Sequence, residues 1–390
     1  MKEEVYGHAK KIEKLLKKIK NSDFPEENKK ALLDFYQECV LRGMSKARTL
    51  KYLTTLELFA RRVKKRFSEM KKEDVANFIT MLEEGNYAEW TKHDFKVMIR
   101  IFFKWLRGTD QFPEEVSWIR INNVNKVKLP EELLTEEEVM KLVDAAEHLR
   151  DKALILTLYE SGCRIGELLT MRIKNVHFDE YGAVLNVNGK TGQRRVRIIF
   201  SAPKLMQWVE NHPMRDNPEA PLWITIGMNH RYTPLRYSTV KDVIKKAARK
   251  AGIKKRVYPH LFRHSRATHL AKHLTEAQMK QYFGWVQGSD MASVYVHLSG
   301  RDVDDALLRL NGMKADVKHD TLIKTNLCPR CNSANSPDAK FCSNCGMCLD
   351  PKTAMELDTT REKVDRLMNE LIKNPEVLEA MLKTVQRIMA

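Results

Sequence analysis

Apolar residues in the first hundred positions recur at the spacing of helices. Leu50, Leu53, Leu56, Phe59, Ala60 and Val63 fall on one stripe of a 3.6-residue period. Extended along the chain, the same pattern predicts helices at about residues 29–41, 46–67, 71–84 and 88–106. These are separated by Arg42-Gly43, by residues 68–70 and by Gly85-Asn86. Ser45 is placed to cap the second of them. Upstream, residues 1–20 carry seven Lys around Ile12, Leu15, Leu16 and Ile19, a helix with one apolar stripe that fits either a mobile arm or a packed element. Pro25 breaks the chain after it.

The pattern lapses over residues 108–130, where Pro113, Asn122-Asn123 and Pro130 read as a linker. Thr135 with Glu138 then forms a capping box. The stretch 152–159, apolar after Lys152 but for Thr157, predicts a buried helix ending at Ser161-Gly162, with Arg164 opening the next one. Alternation takes over at 183–187 and 195–200, two strands around the turn Asn188-Gly189-Lys190-Thr191-Gly192. Helical spacing returns near 204–210, 239–251 and 276–283, and in the segments carrying His260 and Tyr295. There is no internal repeat. The fold class expected is mainly α with a small antiparallel β-sheet.

Charge narrows the function. A net charge of +17 and a pI near 9.4 favour a polyanionic partner, nucleic acid first, over small metabolites, although a Lys-rich solvated surface would give the same balance. No run approaches the ~20 apolar residues that span a bilayer. The N-terminus lacks the apolar core of a signal peptide, so a cytoplasmic protein without membrane attachment is expected. Of seven Cys, five lie between Cys328 and Cys348 in C-x-x-C pairs, a metal pattern in a reducing compartment.

The candidate chemistry gathers around residues 259–297. His260 and Arg263 share a helix face, and Tyr295-x-His297 follows about thirty residues on. Arg164, after the Gly162 break, and Lys190, in the hairpin turn, add two more cations. Two Arg, one His, one Lys and a Tyr, without an acidic metal cage, suit a pentavalent phosphate held by fixed cations and attacked by a phenol oxygen. Each of these residues alone has a plain structural role, and only their ordered conjunction carries the argument.

In that order, Arg164, Lys190, His260-x-x-Arg263, Trp285 and Tyr295 resemble the signature of the tyrosine recombinases, or phage-type integrases. The family often has Leu-Gly-His where this chain reads Phe283-Gly284-Trp285. The resemblance spans roughly residues 45–300. It implies an N-terminal basic helix or arm (1–28), a helical core-binding, DNA-binding domain (29–125) and a catalytic domain (130–312). Arg61, Arg62, Lys64, Lys65 and Arg66 then become candidate phosphate contacts, with a solvated face the equal alternative. The activity implied is site-specific DNA recombination, as by the integrase of a mobile element, through a 3′-phosphotyrosyl intermediate that needs neither ATP nor a catalytic metal. The partner implied is double-stranded DNA, bound by a homotetramer on paired sites. Arg164 and Arg263 would neutralise the phosphate, His260 and Trp285 would donate hydrogen bonds, and Glu167 would hold another catalytic side chain. Lys190 would protonate the leaving 5′ oxygen, and Tyr295 would attack. A type IB topoisomerase using the same chemistry and a catalytically silent DNA-binding regulator are the alternatives. His264, His269 and His273 carry no such signal, and His297 only that of the family's Tyr-x-His pair.

Beyond the catalytic region, Cys328-x-x-Cys331 and Cys342-x-x-Cys345, ten residues apart, read as a structural zinc ribbon over 326–350. Cys348 is a spare that could replace Cys345. A helical tail (351–390) follows, with helices at about 360–372 and 375–389. Its stripes, among them Val364, Leu367 and Leu371, are too narrow to fold alone and call for cover from the ribbon, the body or another protomer.

Overall fold

The computed structural model describes residues 5–121, 132–189, 192–227, 231–296, 307–308, 310–312, 323–373, 377 and 383. The chain divides into two compact units, Met1–Lys128 and Leu129–Ala390.

The first unit is helical. It comprises α1 (His8–Lys20), α2 (Glu26–Leu41), α3 (Lys46–Val63), α4 (Lys72–Glu84), α5 (Glu89–Leu106) and the short α6 (Glu114–Ser117). Ser45 accepts a hydrogen bond from the Arg48 amide, capping α3 as its position suggests. That helix stops at Val63, four residues earlier than its apolar pattern predicts. Lys64 takes a left-handed turn, and the buried Asn28 side chain then holds the chain on both sides, donating to Lys65 O at 2.8 Å and accepting from Phe67 N at 2.8 Å. Phe67 thereby enters an aromatic core with Phe35, Phe59, Phe78, Phe102 and Phe103. Ile12 and Ile19 of α1 are buried, so the first helix is a packed element. Val116 and Ile119, inside the stretch read as a linker, are also buried in this core. The remainder of that stretch, 122–130, lies outside the described residues. In the basic cluster, Arg61 pairs with Glu57, Lys65 with Asp74 at 2.6 Å and Arg66 with Glu69 at 3.4 Å.

The second unit is built around α8 (Leu149–Ser161), which is apolar on every side from Ala153 to Leu156 and packs against α7 (Glu136–Ala145), α10 (Ala202–Glu210), α12 (Pro259–Leu270) and strand β3 (Gly192–Ile198). Thr135 and Glu138 form the expected capping box on α7. A three-stranded antiparallel sheet runs in the order β1 (Val176–Asp179), β2 (Gly182–Gly189), β3 (Gly192–Ile198). Its first strand is additional to the two that alternation reveals. The β2–β3 register ends with Gly189 opposite Gly192. After β3 come α10, α11 (Tyr237–Lys250), α12, α13 (Glu276–Phe283) and the single turn α14 (Ser293–Val296). The ribbon strands β4 (Asn326–Leu327) and β5 (Ala334–Asn335) precede α15 (Pro351–Ile372), which starts nine residues before the predicted tail helix because Asp350 caps it at the Thr353 amide, 2.9 Å away. Residues 375–376, 378–382 and 384–389, most of the second tail helix, lie outside the described residues. Among the described helices, none is long and apolar enough to cross a membrane.

One buried carboxylate ties sheet to helices. Glu160, at the end of α8, accepts from Ile199 N at 2.7 Å, Phe200 N at 3.2 Å and Ser201 N at 2.7 Å, closing the turn from β3 into α10. Burial pushes its pKa up, and the donated hydrogen bonds oppose that rise. Glu160→Gln keeps the volume but puts an amide N–H₂ against backbone donors. It should lower stability by about 2 kcal/mol, measured by denaturant unfolding.

Candidate active site

The site begins where α8 ends. Gly162 adopts φ +55°, and a Cβ there would lie 2.3 Å from the Phe283 ring, so both the left-handed turn and the close approach require glycine. The turn delivers Arg164 to the N-cap of the five-residue α9 (Ile165–Leu169). Glu167 folds back on it, accepting from Arg164 N at 3.0 Å and from its guanidinium Nη1 at 3.0 Å. From β3, Arg194 reaches the same carboxylate at 2.7 Å, and its Nε donates to Tyr282 O at 3.0 Å at the end of α13. Burial would raise the Glu167 pKa, but Arg194 and then Arg164 hold it below the ordinary carboxylate range.

Arg263, on α12, is 3% exposed and donates to Gly162 O at 2.8 Å and Phe283 O at 2.7 Å. Its guanidinium also lies over the rings of Phe283 and Trp285, 5.1 and 5.6 Å from their centroids. Burial lowers its pKa to about 10, with the charge of Arg164 pushing the same way. Three guanidiniums, Arg164, Arg194 and Arg263, thus surround one carboxylate, Glu167, leaving two positive charges unmatched within this cluster. Arg194 also has one terminal nitrogen, Nη1, buried without a hydrogen-bond partner among the described residues.

Tyr295 lies on α14, 5% exposed and stacked parallel on Trp285 with ring centroids 5.5 Å apart. Trp285 in turn stacks on Phe283 at 4.9 Å. Gly284 between them takes φ +62° as the cap of α13, with the Arg194 guanidinium 2.9 Å from where a Cβ would stand. Burial pushes the Tyr295 phenol up to about 12, against the pull of Arg263. The phenol oxygen is 2.6 Å from His264 Nδ1. His260, one helical turn before His264, is exposed and packs edge-on against it with ring centroids 4.5 Å apart.

Of the residues singled out by sequence, the structure gathers Arg164, Glu167, Arg263, Trp285 and Tyr295 through the contacts above, with His260 on the solvent side. Lys190 lies in sequence between the paired Gly189 and Gly192 but outside the described residues, as does His297. Two participants escaped the sequence reading. Arg194 shares strand parity with the buried Val196 and Ile198, a signal that its side chain faces inward. His264 stands four residues after His260, on the same helix face.

Comparison with known proteins identifies the architecture. Residues 132–301 match the profile of the phage integrase family, and residues 32–111 that of the phage integrase N-terminal SAM-like domain. The tyrosine recombinase XerD of Chlorobaculum tepidum is 30% identical over 243 residues, 58% of this chain and 76% of its own length. This chain belongs to the phage integrase family, the tyrosine recombinases. Its enzyme class is therefore that of the site-specific DNA recombinases. The recombinase is also similar to tyrosine recombinase XerA of Pyrococcus furiosus, at 27% identity over 61% of this chain and 80% of that one. Its fold resembles the Tn1549 transposon integrase solved with transposon right end DNA, with a TM-score of 0.57, 15% identity, and coverage of 72% of this chain and 99% of that one. A lambda integrase dimer bound to a core site gives a TM-score of 0.55 at 16% identity, over 70% of this chain and 77% of that one.

Residues 327–347 of the recombinase match a zinc-ribbon domain. The sulfurs of Cys328, Cys331, Cys342 and Cys345 all lie within 4.8 Å of one another, with Cys328–Cys345 at 3.6 Å and Cys331–Cys342 at 3.5 Å. A tetrahedral S₄ zinc site with Zn–S ~2.3 Å sets its sulfurs roughly 3.8 Å apart, so the four thiolates fit this metal. Cys348 is outside the cluster, its sulfur 3.4 Å from Asp350 O. The purified recombinase should carry about one zinc per chain by elemental analysis, and Cys331→Ser should release it and expose the ribbon to protease. Retention of full zinc by that variant would remove Cys331 from the ligand set.

Proposed function

We propose that this recombinase cleaves and rejoins double-stranded DNA through a 3′-phosphotyrosyl bond to Tyr295. The observation carrying this reading is the net positive charge of Arg164, Arg194 and Arg263 around the single carboxylate Glu167, with Arg263 acting on the buried Tyr295. A phosphodiester in attack gains charge on its non-bridging oxygens, and preformed guanidiniums stabilise that charge without reorganising. Glu167 and Arg194 position Arg164, while Gly162 O and Phe283 O aim Arg263. His260 adds a hydrogen bond from the open side, and Trp285 packs the nucleophile's ring.

The departing 5′ oxygen is a poor leaving group unless protonated. Lys190, between the ends of β2 and β3, is the ammonium assigned to that task, as its resemblance to the family's hairpin Lys implies. The domain reading assigns DNA contacts to the helical unit as well, with residues 29–125 as its core-binding part and 130–312 as the catalytic part. A homotetramer on paired sites, a mobile element as the resident DNA and action in the cytoplasm complete the proposal. Neither ATP nor a catalytic metal has a place in this chemistry, and zinc serves the ribbon alone.

The test uses a DNA substrate whose bridging 5′ oxygen is replaced by sulfur, which departs without protonation. Lys190→Ala should slow cleavage of ordinary DNA by about 10²-fold or more, and the sulfur substrate should largely restore it. Arg164→Ala, lacking charge stabilisation, should remain slow on both. Tyr295→Phe should form no covalent adduct with either. Equal rescue of the Lys and Arg variants, or of neither, would refute the assignment of Lys190.

A further inference from the structure

The reading of Tyr295 as nucleophile leaves one step without a residue: the phenol must lose its proton in a site where burial holds that proton on. Among the described residues, the group hydrogen-bonded to its hydroxyl is the His264 imidazole. We infer that His264, the residue after Arg263, is the base that takes the Tyr295 proton, while His260 serves the phosphate. The inference rests on the proposed function and deepens it.

The geometry divides the two histidines. They stand one turn apart on α12, their rings edge-on at 4.5 Å, yet His260 is exposed towards solvent and His264 is half-buried with Nδ1 2.6 Å from the phenol oxygen. That distance is a hydrogen bond already made before DNA arrives. With Nε2 carrying the imidazole hydrogen, Nδ1 accepts from the phenol O–H. The Trp285 ring, parallel to Tyr295, fixes the phenol plane so that this bond is kept. Among the described residues, the charged and titratable groups acting on the pair include His260 and Arg263 on α12, and Tyr258 just before that helix.

The step balances. As the Tyr295 oxygen bonds to phosphorus its proton passes to His264 Nδ1. The bond from phosphorus to the 5′ oxygen breaks with its electron pair on that oxygen, which takes a proton from Lys190. In rejoining, the 5′ hydroxyl attacks, its proton returns to Lys190, and the departing phenolate recovers the proton held on His264. A base must be neutral to act, so cleavage should rise with pH through the imidazole range, ordinarily about 6.5, and then level off.

The experiment is single-turnover formation of the covalent adduct on a nicked substrate, followed across pH. His264→Asn keeps a hydrogen-bond acceptor near the Nδ1 position but cannot titrate. It should be slower by about 10²-fold and lose the acid limb, and the 5′-sulfur substrate should not restore it, because the defect lies at the nucleophile. His260→Gln should be slower yet keep the acid limb. A His264→Asn enzyme slowed by less than about tenfold, or one with the wild-type acid limb, overturns the inference. If His264→Asn does not fold, the His260→Gln profile decides, with loss of its limb counting against His264. An adduct in Tyr295→Phe would instead break the reading of the nucleophile itself, whereas a silent Tyr295→Phe beside an unaltered His264→Asn breaks only this inference.

Discussion

The catalytic unit depends on one buried carboxylate that is outnumbered by the guanidiniums around it. Glu167 joins Arg164 to Arg194, and so joins the turn after α8 to the sheet and, through Tyr282 O, to the end of α13. Among the described residues, Arg263 hydrogen-bonds to neutral carbonyls, with the charge of Arg164 acting against its own. Burying a guanidinium is costly, and setting a like charge beside it adds to the cost; the pKa of Arg263, lowered first by burial and then by Arg164, reports both. The fold sustains it with three backbone carbonyls, at Gly162, Phe283 and Tyr282, and with the faces of Phe283 and Trp285. An anion entering the cluster relieves the repulsion, and a phosphate in attack, with more charge on its oxygens, relieves it further. On the proposed mechanism, the cost borne in the free protein is the preorganisation that catalysis would use.

Two glycines make this geometry possible. At Gly162 the chain turns left-handed under the Phe283 ring, and at Gly284 it turns left-handed over the Arg194 guanidinium. Each is also the residue that brings its neighbour to the site: Arg164 two positions after the first, Trp285 one after the second. The spacing of the signature residues along the chain therefore reflects packing as much as chemistry, because a side chain at either glycine would hold α8, α13 and β3 apart.

Most of the architecture was legible in the sequence because it is written locally. Helical periodicity located the helices of the first unit, turn residues located the hairpin, and the C-x-x-C pairs located the ribbon. The errors arose where distant residues override local pattern. The third helix of the first unit ends early because Asn28, more than thirty residues away, competes for the backbone at Lys65 and Phe67. The stretch before residue 120 looked like a linker because Pro113 outweighed two apolar residues, Val116 and Ile119, that the core captures. At the site, the residues of the ordered signature stood out, but those that act through them did not. Arg194 was one arginine in a strand rich in them, and His264 one of several histidines after Arg263. Strand parity and helix face distinguish both, and those signals gain meaning only once the elements are assembled.

The ribbon shows how such long-range contacts join what the sequence presents as separate modules. Glu136, at the start of α7, accepts from Tyr159 Oη at 3.2 Å and from the backbone of Ile323 at 2.6 Å, so the segment entering the ribbon is fastened to the helix pair at the heart of the catalytic unit. Asp338, within the ribbon, meets Lys204 of α10 at 2.9 Å, with both side chains largely buried. Burial alone would raise the Asp338 pKa, but Ser336 and Lys204 hold it low, so the pair is ionised and committed to this partner. In a ribbon of two-residue strands the residues buried are mainly the cysteines and their polar neighbours, so a metal at the four thiolates would supply folding energy. Zinc held at the four cysteines would therefore also steady Asp338 against α10 and Asp350 at the start of α15. The start of that helix, along which Leu357, Val364 and Leu367 are exposed, is thereby tied to the ribbon through the Asp350 cap.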